Sequence, residues 1–435
     1  YTREELAQVL EPMALGGKEP IGSMGDDTAL TALGQGSRPL YAYFRQRFAQ
    51  VTNPAIDSLR ERVVMSLDTY LGSRGSLFER TPEAAELVHL PSPILFDEEL
   101  ARIRAGHEGL RRTTLSAVFP AAGGPEAMST ALDALCDAAE AAVAEGHDVL
   151  IISDRDVGAE AAPIPMLLAV SAVHHRLIRA GCRMRVSLVA EAGDARDVHH
   201  VAALVGFGAS AVNPWLALDT CRALDSVAAS VEGDDLDDDA SRGTEAAFEA
   251  ARSYVRALEA GLLKVMAKMG IATVSSYHGA QIFEALGIAP DVIDRCFPGT
   301  TSRIGGAGLE DLASDVLLRH QRAYGAEGLD RGGWYKYRRK AEYHANEPPV
   351  WRALQKVAQG GGAEEYRTYA NLVHDRPPTA LRDLLRVVPD REAIDIERVE
   401  PVSAIVRRFQ TGAMSLGALS AEAHEDIARA MNQLG

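Results

Sequence analysis

Polar and charged side chains directly follow three apolar segments of this sequence. Ser153-Asp154-Arg155 follows the first segment, and Glu191-Ala192-Gly193 and Asn213-Pro214-Trp215 follow two later ones. An aspartate beside an arginine could bind an anion or act as a catalytic pair, but a structural ion pair that braces the loop is the favoured interpretation. The carboxyl ends of parallel strands meet at one edge of a sheet. The sequence therefore predicts that three strand ends converge on one site or interface.

A second candidate lies in residues 411–420, where small residues surround one hydroxyl. Gly412, Ser415 and Gly417 would let backbone amides approach the edge of a flat ring such as a flavin, and a hydroxyl can reach a polar atom of the ring or substrate. This composition predicts a short strand over 412–417. Ser420 is a suitable N-cap for a following helix, whose apolar residues recur at helical spacing: Ala423, Ile427, Ala430, Met431 and Leu434.

Other possible motifs are weaker. Residues 304–309 are glycine-rich but lack the spacing of a dinucleotide-binding loop, so a turn before a helix is favoured over a phosphate site. The pairs His174-His175 and His199-His200 lack the i, i+4 spacing of helical metal ligands, so solvated or capping histidines are favoured. The acidic run 234–239 lacks the twelfth-position glutamate of a calcium loop, which favours a solvated loop between helices. No metal site is predicted.

The elements that must position these residues are alternating strands and helices. Strands are predicted over 114–119, 149–153, 184–190 and 209–213, with helices between them, which indicates a parallel α/β domain that is barrel-like or doubly wound. The region before residue 110 is irregular, with helices predicted over 39–50 and 55–70. A Gly-Gly-Gly run at 360–362 and Pro377-Pro378 mark a boundary.

Composition excludes several classes of protein. The 435 residues carry 45 basic and 61 acidic side chains, and this net charge of −16 argues against non-specific binding of nucleic acid. No apolar run reaches the length of about 20 residues that a membrane-spanning helix needs. The four cysteines, Cys136, Cys182, Cys221 and Cys296, are widely spaced, which favours reduced thiols and a cytoplasmic location.

Several unusual segments together resemble one family, the large (alpha) subunit of glutamate synthase. One of them is Glu19-Pro20-Ile21-Gly22-Ser23-Met24-Gly25-Asp26. Several of the segments are long and specific, and the similarity extends over nearly the whole chain. The other segments that carry it are 43–57, 64–67, 153–157, 277–287, 299–306, 411–414 and 422–431.

The resemblance implies a large multidomain enzyme. Its family joins a glutamine amidotransferase domain, a central domain, an FMN-binding (β/α)8 barrel and a β-helix. Ammonia released from glutamine travels through a tunnel to the barrel, where it condenses with 2-oxoglutarate, and FMN-dependent reduction of 2-iminoglutarate completes the synthesis of two L-glutamates. Electrons reach FMN through a [3Fe-4S] cluster from an NADPH-oxidising small subunit or from ferredoxin, and NADPH is the preferred expectation here.

Mapped onto this chain, the resemblance implies a central domain over 1–370, a linker over 371–400, and the first βα unit of the FMN barrel over 401–435. The implied flavin- or substrate-adjacent residues are Ala413, Met414, Ser415 and Gly417. The sequence starts at Tyr1 and lacks an N-terminal cysteine nucleophile and cluster cysteines. It is therefore expected to be a piece of a longer enzyme, inactive by itself and without retained FMN or cluster.

Two other classes of function remain open at this point. The chain could be a non-catalytic α/β scaffold that connects catalytic domains, or a regulatory module that binds a small molecule in the crevice between the strand ends.

Overall fold

The computed structural model describes two compact units, Tyr1–Asp383 and Leu384–Gly435. It describes the chain except for residues 21–25, 48–55, 57–58, 76–77, 79–81, 107–108, 225–238, 326–327, 413 and 416. The division at Asp383 falls inside the predicted linker. The acidic run 234–238 lies outside the described residues, and Asp239 begins a helix.

The strands of the first unit are short. They are β1 (Phe44–Gln46), β2 (Thr69–Leu71), β3 (Val88–Leu90), β4 (Arg112–Ser116), β5 (Val118–Pro120), β6 (Val149–Ser153), β7 (Ala161–Pro163), β8 (Ser187–Glu191), β9 (Ala211–Asn213), β10 (Phe283–Ala285) and β11 (Thr301–Ser302).

Helices make up much of the rest of the described chain. They are α1 (Arg3–Glu5), α2 (Glu11–Gly16), α3 (Glu61–Val64), α4 (Asp97–Ala105), α5 (Gly124–Ala144), α6 (Met166–Arg179), α7 (Val198–Gly206), α8 (Trp215–Arg222), α9 (Asp239–Met269), α10 (Val274–Tyr277), α11 (Pro290–Cys296), α12 (Leu309–Gly325), α13 (Pro348–Ala358), α14 (Ala363–His374), α15 (Val402–Ile405) and α16 (Ala421–Leu434). A π-helical segment, Leu6–Leu10, joins α1 to α2.

The central sheet is parallel, as the sequence predicted. Its strand order is β4-β6-β8-β9, with Ile151 paired to Thr114 on one side and to Val189 on the other. The order follows the chain without reversal, so of the two predicted architectures the sheet matches the singly wound progression of a barrel and not a doubly wound sheet. The predicted strand 184–190 begins later, because Arg183–Arg185 forms a 3-10 turn.

Both faces of this sheet are buried, which explains its nearly continuous apolar strands. Ile152 and Leu188 pack into the larger core with the helices, whereas Ile151 and Val189 pack into a smaller core on the opposite face. Helix α5 contributes an apolar stripe to the larger core, with Met128, Leu132, Leu135, Ala139 and Val143 buried at helical spacing.

The helices predicted in the first 110 residues are wrong where the structure describes them. Leu40–Tyr43 forms a 3-10 turn that leads into β1, and 55–70 contains only the short α3 before β2. Strand β1 pairs antiparallel with β10, a partner more than 200 residues away. Such long-range pairing overrides local helical preference.

The second unit contains the predicted C-terminal helix but not the predicted strand. Ser420 caps α16 by accepting a hydrogen bond of 3.3 Å from the amide of Ala423, as predicted. Thr411, Gly412, Met414 and Ser415 adopt no regular secondary structure, and Ala413 lies outside the described residues. A parallel strand forms only when neighbouring strands supply hydrogen bonds, and the structure shows none paired with this segment.

The cysteines agree with the sequence-based interpretation. All four are free thiols, and three of them are buried. Among the described residues, no helix is long and apolar enough to cross a membrane.

Candidate functional site

The three predicted strand ends lie side by side at the carboxyl edge of the central sheet. In the register of the sheet, Ser153 is paired with Glu191, and Glu191 is paired with Asn213. The polar residues that follow β6, β8 and β9 therefore converge as expected. We call this cluster the strand-end network.

Asp154 is a buried acid of the network, with 2% of its surface exposed. Its carboxylate accepts hydrogen bonds of 2.9 Å from the Gly193 amide and 2.7 Å from the indole nitrogen of Trp215, the first residue of α8. Burial raises the pKa of Asp154 to about 7, and the nearby Asp194 carboxylate adds to the rise. The donors from Trp215 and Gly193 oppose this shift, since they favour the charged form.

Glu191, at the end of β8, is paired with a cation that the sequence analysis missed. Only 1% of Glu191 is exposed, and both of its oxygens accept hydrogen bonds from the guanidinium of Arg104 on α4. The hydroxyl of Ser153 also donates to Glu191. The bidentate hydrogen bonds from Arg104 offset the free-energy cost of removing the Glu191 carboxylate from water.

Arg155 does not pair with Asp154, although the two residues are adjacent in the sequence. Its guanidinium lies over the indole ring of Trp215, 4.8 Å from the ring centroid, and 3.3 Å from the carboxylate of Asp97. Asp219 on α8 lies 3.7 Å from the same guanidinium. An Asp154–Arg155 pair, whether the favoured structural one or the catalytic alternative, is therefore not formed. Arg155 pairs instead with Asp97 and Asp219.

Asp97, the first residue of α4, joins the third strand end to the network. Its carboxylate accepts hydrogen bonds from the Asn213 side-chain amide at 3.2 Å and from Arg222 at 2.7 Å. Asn213 is fully buried and also donates to the Leu95 carbonyl. These bonds tie α4 and α8 to the end of β9.

Asp194 extends the network toward the N-terminal segment. Its carboxylate accepts a hydrogen bond of 2.8 Å from the hydroxyl of Tyr41 and one of 3.1 Å from the Met166 amide at the start of α6. Burial raises the pKa of Asp194, and it raises the pKa of the fully buried Tyr41 well above its usual value. Sequence analysis missed Tyr41, because it lies 153 residues from its partner Asp194 in the chain.

The acids at the strand ends are bonded to donors of the protein itself. Each of the three acids that follow β6 and β8, namely Asp154, Glu191 and Asp194, is held by at least two donors of the protein. Such an arrangement fixes the position of helices α4, α6 and α8 against the sheet. It leaves no described carboxylate of this set in need of a ligand.

The glycine-rich residues 304–309 form a backbone contact instead of a phosphate loop. The Ala307 amide donates to the Gly287 carbonyl at 2.8 Å, and the Gly287 amide donates to the Ile304 carbonyl at 3.1 Å. A Cβ on Gly306 would lie 2.3 Å from the Gly287 oxygen. The glycine is therefore required by a close approach of two backbone segments, in agreement with the favoured turn.

One histidine of each pair, His174 and His200, is buried, so the expectation of solvated histidines is wrong for these two. His174 accepts a hydrogen bond of 2.8 Å from the buried Arg183, and burial lowers the pKa of His174 to about 2. The ring of His200 stacks on Tyr41 with 4.1 Å between centroids. Among the described residues, no group of three histidines, cysteines or acids is arranged to hold a metal ion.

The residues implied as flavin-adjacent belong to the second unit. Met414, Ser415 and Gly417 are exposed, and a Cβ at Gly412 or Gly417 would meet no atom within 4 Å. A turn is closed by the Ala418 amide, which donates to the Ser415 carbonyl at 3.0 Å. This open, small-residue segment is compatible with the edge of a flat ring.

Sequence comparison places the chain among known proteins. Residues 1–289 match the glutamate synthase central domain, and residues 344–435 match a conserved region in glutamate synthase. The whole chain is 44% identical to ferredoxin-dependent glutamate synthase 2 of Synechocystis and covers 29% of that protein. It is 42% identical to the ferredoxin-dependent glutamate synthase of Pyropia yezoensis and covers 28% of it.

These relatives overturn one expectation. The preference for NADPH over ferredoxin is wrong, because the relatives with 42–44% identity named above are ferredoxin-dependent enzymes. A relative named for NADH, the glutamate synthase of Schizosaccharomyces pombe, is 41% identical, and this chain covers 21% of it. The charge and motif patterns of the present residues gave no basis for choosing a donor.

Structural likeness adds little to the sequence comparison. The flavin-binding domain of baker's yeast flavocytochrome b2 matches 48% of this chain and 44% of its own, with 14% identity and a TM-score of 0.25. That score is too low to indicate a shared fold. This chain spans less than a third of the length of the relatives named above. The sequence matches alone are sufficient to show that it belongs to the glutamate synthase family.

Proposed function

We propose that this chain is the central part of a glutamate synthase that makes two L-glutamates from L-glutamine and 2-oxoglutarate, with ferredoxin as the electron donor. The observation that carries the proposal is the 44% identity to a ferredoxin-dependent glutamate synthase over the whole of this chain. The parent protein would also contain the amidotransferase domain and the remainder of an FMN barrel, since the relatives are more than three times as long.

Within that enzyme, residues 1–370 would act as a scaffold that helps to form the ammonia path. The strand-end network supports this role, because its buried acids are bonded to the protein's own donors. A regulatory module would need polar groups at this edge that are available to a ligand, whereas Asp154, Glu191 and Asp194 are each bonded to two donors of the protein. The scaffold is thus favoured over small-molecule binding.

Residues 371–400 would link this domain to the start of the FMN-binding domain over 401–435. There, Ala413, Met414, Ser415 and Gly417 would lie against the edge of the flavin or the substrate. FMN, when bound, would supply the hydride that reduces 2-iminoglutarate, and a [3Fe-4S] cluster elsewhere in the parent would pass electrons to it. The role of this chain's residues would be to orient the ring and shape the pocket. The four free thiols are compatible with a reducing compartment such as the cytoplasm.

The test of the flavin-edge assignment uses the full-length parent enzyme with Ser415→Phe. A bulky ring in place of this exposed hydroxyl should lower glutamate formation about tenfold or more while glutamine hydrolysis stays within about twofold. Ser403→Phe, at an exposed position of α15 in the same unit, is the matched control. Wild-type glutamate formation by Ser415→Phe would refute the assignment.

The scaffold role is tested with Arg155→Met in the same enzyme. A scaffold predicts a lower melting temperature with kcat for glutamate formation unchanged, because the contacts of Arg155 with Asp97 and Trp215 brace the loop after β6. A catalytic role predicts the reverse: a large loss of kcat with little change in melting temperature.

A further inference from the structure

One exposed loop of the first unit has a charge opposite to that of the chain as a whole. Between Asp330 and Glu342 the sequence carries five cations and no carboxylate, although the net charge of the chain is −16. We call residues 331–340 the basic loop; its cations are Arg331, Lys336, Arg338, Arg339 and Lys340, all of them exposed. Two aromatic rings accompany them, since Tyr335 is 51% and Tyr337 is 38% exposed.

The backbone of the basic loop is held by a buried carboxylate. Glu4, which is 2% exposed, accepts hydrogen bonds from the amides of Gly333 at 2.5 Å, Trp334 at 2.7 Å and Lys336 at 2.8 Å. A Cβ on Gly332 would lie 2.5 Å from the Glu4 Cβ, and the φ of +77° at Gly332 also favours glycine. The loop therefore presents its cations from a fixed backbone.

Three carboxylates border the basic loop. Asp330 is exposed and accepts a hydrogen bond of 2.9 Å from the Gly332 amide, whereas Asp27 and Glu342 bond to other groups of the protein. Asp27 pairs with His344 at 2.7 Å, and His344 also bonds the Gly333 carbonyl. Glu342 turns inward to accept a hydrogen bond from the Gly36 amide. Within the described part of the chain, none of the five cations has an ion-pair partner closer than 4.0 Å. The loop thus offers five unneutralised positive charges to an outside partner.

We propose that the basic loop is a docking surface for a small acidic electron-transfer protein of the ferredoxin class. This inference rests on the proposed function, which assigns ferredoxin as the donor. A chain of net charge −16 repels an acidic carrier at long range, so productive encounters require a local positive surface. Exposed tyrosines beside arginines are the side chains that protein interfaces favour at their centre.

A nucleic acid is the other polyanion that such a loop could attract. The observations favour a protein, because a long polyanion would extend beyond ten residues of basic loop onto an acidic surface. A compact acidic protein can contact the basic loop alone and so avoid repulsion by the negative charges of the rest of the chain.

The experiment compares two triple variants of the full-length enzyme. The test variant is Lys336→Glu, Arg338→Glu and Arg339→Glu, which changes side chains and keeps the backbone bonds to Glu4. The control is Lys268→Glu, Arg322→Glu and Arg352→Glu, which reverses three exposed cations on α9, α12 and α13. Glutamate formation is measured with reduced ferredoxin and, separately, with chemically reduced methyl viologen, each over a range of salt concentrations.

The test variant should raise the KM for ferredoxin about tenfold or more, weaken its salt dependence, and leave turnover with methyl viologen unchanged. The control should leave both activities near wild type. An unchanged KM in the test variant, an equal rise in the control, or tighter retention of RNA than of ferredoxin by the wild type would overturn the docking surface. Absence of any ferredoxin-driven turnover in the wild type would instead overturn the assigned donor, and the docking proposal with it.

Discussion

The carboxylate of Asp154 and the indole nitrogen of Trp215 are joined by a hydrogen bond of 2.7 Å. Asp154 follows β6 and Trp215 begins α8, so this bond fixes the start of a helix to the end of a strand 61 residues earlier. The guanidinium of Arg155 lies over the ring of the same indole, 4.8 Å from its centroid. Asp154 and Arg155 therefore form no ion pair with each other, and both contact Trp215 instead.

Trp215→Phe should lower the free energy of unfolding by about 1–3 kcal/mol, since it removes a donor to a buried carboxylate while keeping a ring beneath Arg155. Urea unfolding at pH 8 measures the loss. Trp351→Phe, at a ring that is 41% exposed, is the matched control and should cost less than about 0.5 kcal/mol. Equal losses in the two variants would contradict the importance of this bond.

Asp154 should titrate near neutrality. Its pKa in the folded protein is raised to about 7, above the value of about 4 expected in the unfolded chain. Between those values the folded state keeps a proton that the unfolded state has released. The stability that Asp154 contributes is therefore greatest at acidic pH and falls as pH rises, by up to about 1.4 kcal/mol per pH unit, until it levels off above about 7.

The titration is measured from the carboxyl ¹³C shift of Asp154, assigned by comparison with Asp154→Asn. The stability of wild type relative to Asp154→Asn should decrease from pH 5 to pH 7. A midpoint near 4, or a stability difference that is constant over this range, would show that burial does not dominate at this site.

Arg104→Met should leave Glu191 buried without its bidentate partner and lower the free energy of unfolding by about 2–3 kcal/mol. The loss lies toward the low end for a buried ion pair, because the Arg104 side chain is 37% exposed and water can partly replace it. Arg102→Met, on the same helix at an exposed position, should change stability little. Guanidinium unfolding measures the free energy of unfolding of both variants. A loss of stability in Arg102→Met alone would be inconsistent with the Arg104–Glu191 ion pair.

Gly306→Ala should destabilise the first unit by about 1–3 kcal/mol, because the new methyl group would overlap the Gly287 carbonyl oxygen. Gly305→Ala is a close control, since the nearest atom to its Cβ would be the Pro290 Cδ at 3.8 Å. Melting temperatures distinguish the two. Added phosphate should shift neither, and a shift abolished by Gly306→Ala would revive the phosphate-loop interpretation.

The sequence predicted well what depends on local pattern. The run 149–153 is strand β6 without change, because five consecutive apolar or small residues suit a strand buried on both faces. The N-cap role of Ser420 was likewise predicted from spacing. The burial of His174 and His200 was not, because the sequence analysis favoured solvated or capping histidines. The start of β8 was not, because Arg183 turns inward to bond the carbonyls of Val186 and Gly208 and so begins a 3-10 turn.

What the sequence could not show depends on distant partners. The carboxylate of Glu191 and the guanidinium of Arg104 are 87 residues apart, and nothing near Glu191 indicates which cation neutralises it. The sequence also suggested an Asp154–Arg155 pair that the structure replaces with separate contacts to Trp215. The segment 411–417 has strand-like composition, but composition alone cannot provide neighbouring strands.

The carboxylate of Glu4 has a consequence for how the first unit folds. Its three amide partners follow it by 329 to 332 residues in the chain. During synthesis Glu4 emerges long before Gly333, so the pocket around it can be completed only after nearly the whole unit has left the ribosome. Contacts of such sequence separation form late and slow folding. The Glu4 carboxylate therefore stays hydrated, and its segment stays accessible to chaperones, until residues 333–336 have been synthesised and can bury it.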